Sequence, residues 1–144
     1  MVSMYFTHFL ASKLLLLADK TQRGLYQIPL GASISKKAMA IPLNNVRRPV
    51  GVEFDPLNGF VYWSDSFRDV ISRVHLNGST QEEVVDRLRI PNGIAIDFIA
   101  RNLYWTDEGS NRIEVSQLDG SFRKTLVYND LWDPLDIVLD VEKG

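Results

Sequence analysis

The sequence has no cysteine, and that absence excludes a disulfide scaffold and any thiolate metal site. Histidine is nearly as scarce, with only His8 and His75. Neither belongs to a Ser/His/Asp pattern of any specificity, so nucleophilic catalysis has little support. His75, beside Leu76 at the end of an extended segment, reads as a satisfied or solvent-facing side chain. No calcium-loop spacing occurs. The formal charge is −2, with acids and bases mixed along the chain. No basic run of the kind that follows a nucleic-acid backbone is present, so nucleic acid is not an expected partner. The residues call for no cofactor and no metal.

Long apolar runs are also lacking. Residues 1–17 are the most apolar stretch, but His8 and Lys13 interrupt them and they are too short to span a bilayer. As a secretion signal the stretch has no basic n-region, and Lys13 splits its apolar run. The expectation is a ragged start at 1–12 that matches no repeat unit, followed by a strand at 13–18. Direct membrane insertion by this chain is not expected. A length of 144 residues suits one domain with a sizeable core.

What is present is an internal repeat, the feature that most strongly constrains a fold. RPVGVEFDPLNGFVYWSD at 48–65 is echoed by IPNGIAIDFIARNLYWTD at 90–107. Pro49, Asp55, Tyr62, Trp63 and Asp65 recur 42 residues later as Pro91, Asp97, Tyr104, Trp105 and Asp107. Downstream, Ile71, Leu76 and Gly78 return as Ile113, Leu118 and Gly120. DPLDIVLDVEKG at 133–144 opens another unit, with Pro134 43 residues after Pro91 and Gly144 matching the turn residue Gly59. LLLLADKTQRGLYQIPLG at 14–31 is a weaker copy, in which Asp19 stands for Asp65. The units fall at about 13–47, 48–89, 90–132 and 133–144.

Each unit reads as four strands. Segments 50–54 and 93–96 are short and apolar. Segments 60–64 and 102–106 are aromatic and β-branched, which suits a pleated surface. Segments 70–76 and 112–118 follow, then 82–85 and 123–127. Asn58-Gly59 tolerates positive φ, while Asn77-Gly78 and Asp119-Gly120 are strong hairpin signals. Four strands in about 40–45 residues is the size of a propeller blade. The fold class is therefore all-β, an incomplete β-propeller of about three four-stranded blades.

The motifs YWSD (Tyr62, Trp63, Ser64, Asp65) and YWTD (Tyr104, Trp105, Thr106, Asp107) resemble the class B repeats of low-density lipoprotein receptor-related proteins. Together with NRIEVSQLDGSFRKTLV at 111–127, they make the match closest to the Wnt co-receptor branch. That resemblance implies a six-bladed propeller in the complete fold. It implies a protein-binding module rather than an enzyme, on the extracellular side of the plasma membrane as part of a receptor. The implied ligands are secreted signalling proteins or their antagonists. Segment 14–43 resembles the outer strands of a first blade, completed in the family by the far end of the propeller.

Alternation on a strand sends Tyr62 and Trp63 to opposite sides of one blade. Asp65 and Asp107 are expected to accept backbone or arginine hydrogen bonds. Binding is expected on the face formed by the loops joining strand 4 to strand 1 and strand 2 to strand 3, at 47–50, 90–92, 133–135, 66–69 and 108–111. Arg48, Phe67, Arg68, Asp69, Asn92 and Glu108 are the candidates, with Phe67 as an apolar anchor inside a polar rim. Asn77-Gly78-Ser79 is an N-glycosylation triplet. Pro91-Asn92-Gly93 also resembles a motif of metal-dependent lactonase-like propellers, whose asparagine helps hold a channel metal. No accompanying Glu and Asp are identifiable here. Because stacked repeats bury their faces on one another, the expected partners include further blades, or a second copy of the chain. A truncated product without a binding role stays open as well.

Overall fold

The computed structural model describes residues 2–9, 12–30 and 37–140. Three antiparallel four-stranded sheets follow one another along the chain. The first blade contains β1 (Val2–Phe9), β2 (Ser12–Asp19), β3 (Gly24–Pro29) and β4 (Met39–Ala40). The second contains β5 (Pro49–Asp55), β6 (Phe60–Asp65), β7 (Val70–His75) and β8 (Glu82–Val85). The third contains β9 (Pro91–Asp97), β10 (Asn102–Asp107), β11 (Arg112–Gln117) and β12 (Lys124–Val127). In each sheet the strands pair in chain order. β5 lies beside both β1 and β9, which puts the first strand of every blade on a common inner edge.

The two ends depart from the regular repeat. Within the segment that matches no repeat, Val2–Phe9 pairs with β2 from Val2 opposite Asp19 to Phe9 opposite Ser12. The inner position of the first blade is thus filled locally by β1, and not by a distant strand. Segment 133–140 forms no strand, yet the carbonyl of Leu135 accepts the N–H of Gly93 at 2.8 Å. It lies against the third blade as the next repeat's first strand would. The expected turn at Gly144 falls outside the described residues.

Two apolar clusters hold the sheets together. Leu16, Ala18, Leu25 and Ile41 of the first blade meet Val52, Val61, Trp63 and Val74 of the second. Tyr62, Ile71 and Val85 of the second blade meet Ile94, Leu103, Trp105 and Leu118 of the third. Tyr62 and Trp63 therefore serve opposite sides of one blade, as alternation on β6 requires. Burying each large apolar side chain contributes roughly 1.5–3 kcal/mol before entropy is counted.

The positions equivalent to Tyr62, Ile71 and Val85 are Tyr104, Ile113 and Val127. The first three are buried, whereas Tyr104 and Ile113 are half-buried and Val127 is 37% exposed. The far side of the third blade is apolar by pattern, and among the described residues no further sheet covers it as the third blade covers the second.

Candidate binding site

The motif residues build the loops around the site. Asp65 ends β6 and is almost fully buried. Its carboxylate accepts the backbone N–H groups of Arg47 (2.8 Å) and Arg48 (3.1 Å) on one loop, and those of Phe67 and Arg68 (both 3.1 Å) on another. Asp107 does the same for Arg89 and Ile90 (both 3.0 Å) and for Ser110 (3.2 Å). Each aspartate ties the loop entering its blade to the turn after its own strand. A buried carboxylate is tolerable only with such donors.

The residue before each aspartate links neighbouring blades. The Ser64 hydroxyl accepts the N–H of Gly51 at 2.8 Å and donates to the Asn92 carbonyl at 2.5 Å. In the next blade the Thr106 hydroxyl accepts from Gly93 at 3.0 Å and donates to the Leu135 carbonyl at 3.4 Å. Glycine is required at position 51, since a Cβ there would lie 2.5 Å from the Asn92 carbonyl oxygen.

These links bring the starts of successive inner strands together around a cleft of about 230 Å3. Val50, Asn92 and Leu135 occupy equivalent repeat positions and all line it. Lys20 and Glu108, each directly after a motif aspartate, line it as well. Arg48 and Asp136 complete its charged rim. Asn92 is 7% exposed, and its amide nitrogen donates to Glu108 at 2.7 Å, which fixes both side chains.

Of the residues expected from sequence, Arg48, Asn92 and Glu108 are brought together here. Phe67 is 71% exposed on the turn between β6 and β7, outside the cleft lining. Arg68 turns toward β8 and pairs with Glu83. Asp69 holds a left-handed backbone at φ 56°, and its carbonyl accepts from Leu88 at 3.1 Å. Burial raises the Asp69 carboxyl pKa, and the Asp107 and Asp65 carboxylates raise it further. Asn77 sits at the opposite end of the second blade, on the turn between β7 and β8.

Sequence reasoning missed Lys20 and Asp136 in the cleft, and Glu53, which does not line it. Lys20 was findable as the residue following Asp19, the counterpart of Asp65. Glu53 has no such signal, because Ala95 replaces it in the next repeat. Its carboxyl is pushed up to about 7, mainly by burial, with a smaller contribution from Asp136 and opposed by the Phe54 N–H. His75 stacks on Phe60 at 4.0 Å and lies 3.2 Å from the Gly59 carbonyl through Nδ1, a packing role. His8 lies in β1, and its side chain is outside the described residues. Among the described residues no three of His, Cys, Asp and Glu gather to hold a metal ion. No described helix is long and apolar enough to cross a membrane.

The family profile described as low-density lipoprotein receptor repeat class B matches residues 59–98 and 101–141, more than half of the chain. The chain belongs to this class B repeat family. Part of the sequence is also similar to receptor proteins. Human sortilin-related receptor is 36% identical over 64 residues, which is 44% of this chain and 3% of that receptor. Human low-density lipoprotein receptor-related protein 5 is 47% identical over 48 residues, 33% of this chain and 3% of that protein. This class B repeat chain thus spans a small part of either relative. A chain of the nidogen/laminin complex superposes with a TM-score of 0.75 and 30% identity, over 85% of this chain and 46% of that one. A virginiamycin B lyase from Staphylococcus aureus superposes with a TM-score of 0.66 over 82% of this chain and 39% of that one. At 16% identity the lyase shows the fold alone.

Proposed function

We propose that this chain is an extracellular protein-binding module of a low-density lipoprotein receptor-related receptor, and that it is not an enzyme. The cleft around Asn92 is the observation that carries the reading. It is concave, walled by apolar backbone starts, and rimmed by Lys20, Arg48 and the fixed Asn92–Glu108 pair. Such a site takes a short protruding segment of a partner and fixes it by a few placed polar groups. Phe67, Arg68 and Asp69 lie on a neighbouring turn and would meet the partner's flanks.

The sequence relatives are receptors, and the nidogen/laminin structure is a protein complex. Both support a protein ligand and a place outside the cell. The similarity to low-density lipoprotein receptor-related protein 5, with the string at 111–127, supports a Wnt co-receptor-like role. On that reading the ligands are secreted signalling proteins or their antagonists.

Selection of a random-peptide display library on the folded chain tests the reading. Asn92→Leu, which copies the residue at the equivalent position 135, serves as the counter-target. Peptides retained by the chain and lost on Asn92→Leu support the cleft. Selected peptides that bind both proteins equally would move the site elsewhere.

A further inference from the structure

Asn77-Gly78-Ser79 is the sequence's single Asn-x-Ser/Thr triplet, and it occupies the tip of the hairpin between β7 and β8. Asn77 and Ser79 are both exposed. The Asn77 Oδ1 accepts the Ser79 N–H at 2.9 Å, and its Nδ2 has no hydrogen-bond partner among the described residues. The equivalent turn in the third blade is Asp119-Gly120-Ser121. There the Asp119 Oδ1 accepts the Ser121 N–H, also at 2.9 Å. The turn needs one side-chain oxygen, and aspartate supplies it as well as asparagine. The amide nitrogen of Asn77 is therefore unused by the fold.

The glycine in each triplet anchors the tip. Gly78 and Gly120 have φ of 85° and 86° and pack against Pro42 and Val84 of the preceding blade, at a distance that leaves no room for a Cβ. The tip is held by its glycine while the asparagine faces solvent. It also lies at the far end of the strands from the cleft, since β7 runs from Val70, after the Asp65 turn, to His75 at the Gly59 turn.

We propose that Asn77 is an acceptor for an asparagine-linked oligosaccharide, placed so that the sugar leaves the cleft open. The donor is a lipid diphosphate-linked oligosaccharide. Asn77 Nδ2 forms a bond to the sugar's anomeric carbon and gives up one proton to a base. The bond from that carbon to the diphosphate oxygen breaks, and the lipid diphosphate leaves with the electron pair. The proposal rests on the extracellular reading only in requiring entry to the secretory lumen.

The full chain is translated behind a heterologous cleavable secretion signal into microsomes, and the protease-protected product is weighed. One glycan's mass is expected, and it is lost in Asn77→Asp and in Ser79→Ala. Asn77→Asp retains the near-UV circular dichroism of the unmodified chain, because Asp119 already supports the same turn. An amidase that cleaves Asn-linked glycans removes the sugar from the native chain, leaving aspartate at that position. A translocated chain of unshifted mass, a shift that persists in Asn77→Asp, or a glycan released only after denaturation overturns the proposal. Loss of peptide binding at the cleft with glycosylation intact would refute the binding reading alone.

Discussion

Arg101 of the third blade grips Asp55 of the second through two parallel contacts, each 2.7 Å from nitrogen to oxygen. Asp55 is fully buried. Arg101 stands where the second blade has Gly59, and both take a left-handed backbone, at φ 63° and 71°. The chain accepts that conformation in a non-glycine residue, at a cost of roughly 1–2 kcal/mol, and gains a paired guanidinium across the blade boundary. Arg101→Met keeps the strain and strands the carboxylate, so urea unfolding should show a loss of about 3–5 kcal/mol. Adding Asp55→Asn should recover part of it. Equal losses in the single and double variants would mean that the pair does not couple the blades.

The two motif tyrosines should separate in the same assay. The Tyr62 hydroxyl donates to the Leu118 carbonyl at 2.9 Å across the boundary between blades, and Arg73 braces both. Tyr62→Phe should cost about 1 kcal/mol. Tyr104 faces the uncovered side, and Tyr104→Phe should stay within about 0.5 kcal/mol of the parent.

Two turn glycines have unequal tolerance. A Cβ on Gly120 would fall 1.7 Å from the Val84 carbonyl oxygen, whereas on Gly59 its nearest neighbour is 3.7 Å away. Gly59→Ala should cost about 1 kcal/mol, for the left-handed backbone alone. Gly120→Ala should cost about 3 kcal/mol or more, because the blades must separate to admit it. Thermal unfolding of the two variants checks the ranking.

Glu53 makes stability depend on pH. Its carboxyl rises from 4.5 to about 7 on folding. Between those values the folded chain binds more protons than the unfolded one, so stability falls as pH rises from about 4.5 through 7. Above pH 7 the folded state carries the full penalty of a buried charge. Glu53→Gln should therefore stabilise the chain by about 1–3 kcal/mol at pH 8, and by little at pH 4. A constant difference across that range would place the effect in packing.

Much of the fold was legible because the repeat aligns two units in register, and strand alternation then fixes which side each aromatic serves. The aspartate roles followed from their position after an apolar strand, where buried loop amides need an acceptor. Contacts between units were not legible. The pairing of β1 with β2 has no counterpart string elsewhere in the chain, and Arg68 could not be assigned to Glu83 without knowing the register of β7 and β8. In the site, Arg48, Asn92 and Glu108 were reachable from loop positions. Lys20 and Asp136 join them only because neighbouring blades bring their loops to one edge.

Calorimetric titration of a display-selected peptide against the chain and its Arg48→Glu variant tests the binding account most directly. The Arg48 side chain is exposed on the cleft rim, and its backbone N–H, which holds the loop to Asp65, is unchanged by the substitution. The account predicts that affinity falls at least about tenfold, roughly 1.4 kcal/mol, with near-UV circular dichroism unaltered. Equal affinity for both proteins would contradict recognition at this cleft.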